Sequence, residues 1–223
     1  MKQVQSIFTI LFLMIAAGTF AQNKQLGTSD PNAKKILDAV SAKFKTYKGV
    51  QAAFSFTTED AKGKVQGIKK GTLFMKGTKY RVTLVGGQDI FCDGVNIWTY
   101  DKTANEVSVS KFDPSQNTIT PQKLFTSFYD KDFLYKLNGE KKQGSITVQE
   151  IELTPYDKSK PFFKVYVWVN KATQTIYSVK VMEKSGNRYT YTVNSLNGKA
   201  NLTDAQFVFD KKKYPGVEVI DLR

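Results

Sequence analysis

Residues 91–101 read FCDGVNIWTYD. The stretch holds the only cysteine of the chain, one of its two tryptophans, and an Asp-Gly pair between two runs of strand-forming residues. Asp93-Gly94 supplies the positive backbone dihedrals of a two-residue type I′ turn, and aromatic and β-branched residues flank it, so the spacing predicts a β-hairpin. Side chains alternate along a strand and opposed residues share a face. Counting outward from the turn therefore groups Ile90, Cys92, Val95 and Ile97 on one face, and Phe91, Trp98 and Tyr100 on the other. Both faces are apolar. An antiparallel sheet ordinarily keeps one face wet, so this hairpin needs cover on both sides, or itself covers something that is not protein.

The same two-residue period extends on both sides of the hairpin. Residues 50–59, 71–77, 79–86 and 88–93 precede or enter it, 95–101 and 106–111 complete it, and tight turns between them require antiparallel pairing. The alternation then breaks. Pro114 and Pro121 fall in the gap, and Pro121 can open a helix carrying Leu124, Phe125 and Phe128, with Phe133 and Leu134 on a further turn. Strand patterning returns at 145–155, 161–170, 174–184 and 187–196. Within 161–170, Phe163, Val165, Val167 and Val169 share one face, and Phe162, Tyr166 and Trp168 the other. The last segment, AQFVFDKKKYPGVEVIDLR, reads as a short strand, a Pro-Gly turn and a final strand. Ahead of the first strand, Asp30 caps a helix with Pro31 at its first position and Gly49 at its end. Ile36, Leu37, Val40, Phe44 and Tyr47 form its apolar stripe. This order predicts one α+β domain on a large antiparallel sheet of about ten strands.

The leader MKQVQSIFTILFLMIAAGTFAQ has one positive charge, a short apolar run and small residues before Gln22. It reads as a signal peptide over 1–21, followed by a single exported, soluble domain over 22–223. Gln22 is not the cysteine that a lipid anchor would require. One cysteine allows no internal disulfide, and Cys92 is expected to be a buried small hydrophobe. The 33 basic and 20 acidic residues give a net charge of +13, or +12 once Lys2 leaves with the leader. Such a balance favours anionic partners, and export makes nucleic acid the least suitable of them. The pairs Lys34-Lys35, Lys69-Lys70 and Lys141-Lys142 and the run Lys211–Lys213 are short and scattered, and read as solvated tips and helix faces.

The chain contains no histidine, so Ser-His-Asp and Cys-His arrangements and His-bearing zinc sites cannot be built. Ser108-Val109-Ser110-Lys111 fits an S-x-x-K motif, but it lies on an expected strand without the motifs that accompany such a nucleophile. Asp93 is accounted for by its turn and Asp101 by a strand end, and Gly86-Gly87 lacks the rest of any nucleotide fingerprint. These features point to binding without a cofactor or metal, not to catalysis. A sheet apolar on both faces, with only two or three short helical segments, has more hydrophobic surface than those helices need. It either curves around an apolar ligand cavity or packs as a sandwich filled by its own side chains.

Several stretches in order carry a resemblance: the first helix running into YKGVQAAFSF, the pair GTLFMKGTKYRV, the hairpin DGVNIWTYD, TPQKLF, IELTP, and the closing FVFD and YPGVEVID. In these the chain resembles the outer-membrane lipoprotein carrier protein family, LolA. The resemblance implies a large curved antiparallel sheet, an incomplete β-barrel, lidded by short helices over a hydrophobic cavity. It implies a periplasmic carrier acting as a monomer. Such a carrier takes acylated lipoproteins from a releasing complex in the inner membrane and passes them to an outer-membrane acceptor. A lipid- or lipoprotein-binding sensor or acceptor on the same scaffold is the alternative. By position, Tyr80, Val82 and Leu84 match apolar residues of one cavity strand, Leu124 and Phe125 match the lid helix with Phe128 beside them, and Leu37, Val40 and Phe44 face the cavity from the first helix. The family carries an Arg-Pro whose arginine hydrogen-bonds the lid. This chain has Lys76-Gly77 there, and an ammonium cannot reproduce a guanidinium fork.

Overall fold

The computed structural model describes residues 27–113 and 129–223. The expected leader lies outside the described residues, as do Pro114, Pro121, Leu124, Phe125 and Phe128.

Among the described residues twelve strands form one open sheet in the order β12-β6-β5-β4-β3-β2-β1-β11-β10-β9-β8-β7. They are β1 (Val50–Glu59), β2 (Val65–Lys76), β3 (Lys79–Leu84), β4 (Gln88–Cys92), β5 (Asn96–Asp101), β6 (Glu106–Lys111), β7 (Phe133–Gln143), β8 (Ile146–Pro155), β9 (Phe162–Asn170), β10 (Thr175–Glu183), β11 (Arg188–Asn197) and β12 (Glu218–Asp221). Among the described residues every pairing of these strands is antiparallel except that of β12 with β6. The chain builds one meander from β1 to β6, then a second from β7 to β11, and β11 closes back on β1. The edges β12 and β7 stay apart, so the sheet curves without closing into a barrel.

Among the described residues two α-helices accompany the sheet, α1 (Pro31–Lys45) and the single turn α2 (Tyr129–Asp132). The Asp30 carboxylate accepts from the Asn32 backbone N–H at 2.8 Å and caps α1. The same residue staples the helix to the β7 edge: its N–H donates to Tyr135, and its carboxylate accepts from Leu137 N–H at 3.1 Å. The helix ends at Lys45, one turn before Gly49, with Thr46 as its cap. It packs on β7 and β10 and buries Leu37 and Val40. Tyr129 on α2 is buried, and its hydroxyl donates to Asp38 of α1 at 2.8 Å. Among the described residues no helix is long and apolar enough to cross a membrane.

The opening hairpin is covered on both sides. Cys92, with Ile90 and Ile97, belongs to the main core inside the curve, which also holds Leu37, Val40, Leu73, Met75, Tyr80, Ile151, Val165 and Val167. Phe91, Tyr100 and Trp98 face outward, where the chain after β11 wraps across them. Phe207 is fully buried in that wrap, Phe209 meets Phe91 edge-on at 5.7 Å, and Tyr214 stacks on Phe209 at 4.4 Å. The wrap ends as β12 beside β6. A buried Asp89 on the same outer face lies 2.6 Å from the Lys102 ammonium, an ion pair too poorly angled for a hydrogen bond, and 3.7 Å from Arg81, which sits over the Phe91 ring.

Several expectations need correction. The hairpin turn sits one residue later: Asp93 pairs with Asn96, only Gly94 takes positive φ, and the Asp93 carboxylate binds the N–H groups of Val95 and Asn96. Val95 is thereby a turn residue, exposed and off the Cys92 face. Phe133 and Leu134 begin strand β7 and not a helical turn. A register shift between Met182 and Glu183 interrupts the alternation at β9, so Phe162 is buried with Val165 while Phe163 is exposed. The short strand expected in AQFVFD is a 3₁₀ turn over Asp204–Phe207.

If the wrap seals the hairpin's outer face, Phe209→Ala should destabilise the domain by about 3–5 kcal/mol, the cost of truncating a buried aromatic. Urea unfolding followed by circular dichroism measures this, and a loss within experimental error would show that the wrap is dispensable.

Candidate functional site

Along the inner face of β1–β5 the apolar side chains form a continuous strip. Tyr80, Val82 and Leu84 of β3 stand opposite Met75, Leu73 and Gly71 of β2, and Cys92 and Ile90 of β4 continue the rows from Tyr80 and Val82. On the other side of β2, Phe54 and Phe56 of β1 oppose Gly71 and Lys69. The strip grades from dry to open. Met75, Tyr80 and Cys92 are buried, whereas Val82, Leu84, Ile90, Phe54 and Phe56 remain half-buried among the described residues. At the dry end burial pushes the Tyr80 hydroxyl well above its ordinary range, with Cys92 beside it, and burial likewise raises the Cys92 thiol. Neither group is poised for chemistry at neutral pH.

An aromatic ladder leads along the open end. Phe56 lies 4.9 Å from Tyr191 and 5.8 Å from Tyr189, and Phe54 lies 6.4 Å from Tyr191. Gly71 makes room for it: a Cβ there would come within 2.4 Å of the Phe54 ring and 2.8 Å of the Thr83 carbonyl. Tyr191 keeps 37% of its surface exposed, although it stands in the middle of the sheet. Beyond Val193, which pairs with Phe54, a cavity of about 370 Å³ opens beneath the end of α1, lined by Lys43, Tyr47, Ile176, Asn194 and Leu196 among others. That volume is near the lower limit of ordinary ligand pockets, roughly 300 Å³.

Of the residues expected from sequence to bind ligand, Leu37, Val40 and Tyr80 are buried in the main core, and Phe44 and Val82 pack against it. Leu84 lies on the same strand face nearer the open end. Leu124, Phe125 and Phe128 lie outside the described residues. Sequence reasoning did not single out Phe54, Phe56, Tyr189 and Tyr191; their alternation in 50–59 and 187–196 was legible, but not that the two strands adjoin. Among the described residues no three His, Cys, Asp or Glu side chains are placed to hold a metal ion.

Lys76 turns outward. Its ammonium lies 3.1 Å from Asp204 and 3.3 Å from the Leu202 carbonyl, and Lys79 lies 2.8 Å from the other Asp204 oxygen. Arg81 is held on that same outer face by Asp89 and Phe91. The cation at the position of the implied latch is thus engaged with the C-terminal wrap.

The sequence profile of the family described as outer membrane lipoprotein carrier protein LolA matches residues 45–210. The chain belongs to the LolA family. The match begins at the last residue of α1 and stops before Tyr214 and β12, so it includes the whole strip but neither most of the helix nor the end of the wrap. An outer-membrane lipoprotein carrier protein of Cupriavidus necator is 28% identical over 159 residues, covering 70% of this chain and 72% of that protein. Among solved structures, an uncharacterised conserved protein of Thermus thermophilus superposes with a TM-score of 0.57 at 15% identity, covering 85% of this chain and 99% of that one. The lipoprotein LppX of Mycobacterium tuberculosis gives a TM-score of 0.52 at 14% identity, over 78% of this chain and all of that one. These two likenesses concern the fold alone.

Hydrogen bonds from Lys79 and Lys76, in that order, hold the Asp204 carboxyl below its ordinary value. A depressed carboxylate stabilises the folded arrangement above the ordinary carboxylate range and loses that contribution as pH falls through its folded value, so this clasp should loosen below about pH 4. Hydrogen exchange of residues 200–210 at neutral and acid pH should show the loosening, and Asp204→Asn should exchange fast at both; equal protection of the unsubstituted chain at both pH values would refute the clasp.

Proposed function

We propose that the protein is a periplasmic carrier that holds the acyl chains of lipoproteins against the inner strip and ferries them from the inner to the outer membrane. The observation that carries this reading is the strip itself: half-buried Phe54, Phe56, Val82, Leu84 and Ile90 line the inside of a curved sheet in a family of carriers. Each methylene removed from water contributes about 0.8 kcal/mol, so six or seven along the strip supply about 5 kcal/mol without any polar contact. Binding of this kind is indifferent to protein sequence, as a carrier of many lipoproteins needs. The Cupriavidus relative, a lipoprotein carrier by name, supports the same role. In this reading Leu37, Val40, Phe44 and Tyr80 shape the dry end, and Val82, Leu84 and the aromatic ladder meet the ligand. The resemblance to the family adds Leu124, Phe125 and Phe128, which lie outside the described residues, to the residues proposed to meet the ligand. The protein acts as a monomer, without cofactor or catalysis, and receives and delivers its cargo through membrane partners.

The direct test is mass spectrometry of lipid bound to protein purified from a lipoprotein-producing bacterium, together with release of acylated lipoprotein from inner-membrane vesicles. The reading requires bound acyl chains and release; empty protein that releases nothing rejects it, and preferential capture of other amphiphiles would favour a sensor.

Val82→Glu and Leu84→Glu should lower lipopeptide binding by about tenfold or more while changing unfolding free energy by less than about 1 kcal/mol, because both positions are reached by water. Were they ordinary core, the buried carboxylate would cost several kcal/mol and the domain would melt early. Thermal melts beside binding titrations distinguish the two.

A further inference from the structure

β2 outruns its neighbour. Its residues 71–76 pair with β3, but 65–70 pair with β1 alone, so the β1–β2 hairpin projects past β3. On this projection Val65 and Ile68 are 50% and 65% exposed, and Val85, in the β3–β4 turn hydrogen-bonded to Lys70, is 69% exposed. Single exposed apolar residues are ordinary. Three along one projecting hairpin and the turn bonded to it, interspersed with exposed Lys62, Lys64, Lys69 and Lys70, are a different matter. No acidic residue occurs between Asp60 and Asp89. Asp60 is occupied by the turn, accepting from the N–H groups of Lys62 and Lys64, and Glu59 is paired with Lys180. Among the described residues none of the four lysines has an acidic partner, in a chain whose other faces carry many ion pairs.

We infer that this tip docks the protein on the surface of an anionic phospholipid bilayer. Lysines draw the tip to negative headgroups, and short apolar side chains between them enter the interfacial layer, the pattern by which peripheral proteins bind membranes reversibly. The tip also adjoins the open end of the inner strip: Lys69 stands opposite Phe56, and Gly71 opposite Phe54 and Leu84. An acyl chain leaving or entering the bilayer at the tip would meet Phe56 and Tyr189 first. This inference deepens the carrier reading, and rests on it for the direction of transfer, but the docking surface stands on its own residues.

The experiment is co-flotation of the purified protein with vesicles of phosphatidylcholine, with and without phosphatidylglycerol, at low and high ionic strength. The unsubstituted protein should float with the anionic vesicles at low salt and not with neutral ones. Substituting Lys62, Lys64, Lys69 and Lys70 by Gln should lower partitioning by about tenfold or more, since each lysine near an anionic surface is worth about fivefold. Ile68→Ser with Val85→Ser should weaken binding while leaving its salt dependence unchanged. Substituting Lys142, Lys199, Lys211 and Lys212 by Gln removes the same charge elsewhere and should change partitioning by less than about threefold. Equal losses from the two lysine sets, undiminished binding by the tip variants, or attachment only to an acidic protein would each overturn the inference. Lipopeptide binding without vesicles, measured on the same variants, separates the two readings. Docking without lipopeptide binding rejects the carrier, and lipopeptide binding without docking rejects the tip.

Discussion

Phe91, Trp98 and Tyr100 point one way from the β4–β5 hairpin and Ile90, Cys92 and Ile97 the other, and both apolar sets call for cover. Much of the architecture follows from meeting both demands. The outer set is dried by the chain's own C-terminal wrap, through Phe209, Tyr214 and Val217. That wrap is tied down at one end by Lys76 and Lys79 on Asp204 and at the other by β12 along β6. With the outside covered in this way, the helix is free to serve the inside. It covers the β7–β10 region, stapled there by Asp30, and the inner face of β1–β5 keeps an apolar strip of graded exposure.

The grading matters for function. A strip dry throughout would be ordinary core, and one wet throughout would invite aggregation. Here Cys92, Met75 and Tyr80 anchor one end in packed protein, while Phe54, Phe56, Val82 and Leu84 offer hydrocarbon contact at the other. Gly71 contributes by what it lacks, since any side chain there would displace the Phe54 ring. Lys76 fastens the C-terminal wrap on the outer face through Asp204 and the Leu202 carbonyl.

Strands with strong alternation between turn residues were legible from sequence almost to the residue, as at 50–59, 106–111 and 175–183, because period and punctuation agree there. The first half of β2 was not, since VQGIKK is exposed on both faces and carries no burial pattern. β7 was masked by its charges: only Phe133, Tyr135 and Leu137 face the core before Glu140, Lys141 and Lys142 take over. The exchange of Phe162 and Phe163 arises from a register irregularity, which alternation cannot foresee. On the site, Tyr80, Val82 and Leu84 were found because one strand carries all three. The aromatic ladder was missed because β1 and β11 are remote in sequence and meet only in the closed meander.

The central claim is that hydrocarbon lies against the inner face and not elsewhere. Photo-cross-linking reads this directly, with a photoreactive phenylalanine analogue placed in turn at Phe56, Val82 and the outward-facing Phe163, and a triacylated lipopeptide as the partner. Cross-links from the first two positions and none from Phe163 are the result expected. Equal labelling at all three, or labelling at Phe163 alone, would mean that the strip is merely part of the protein's own interior.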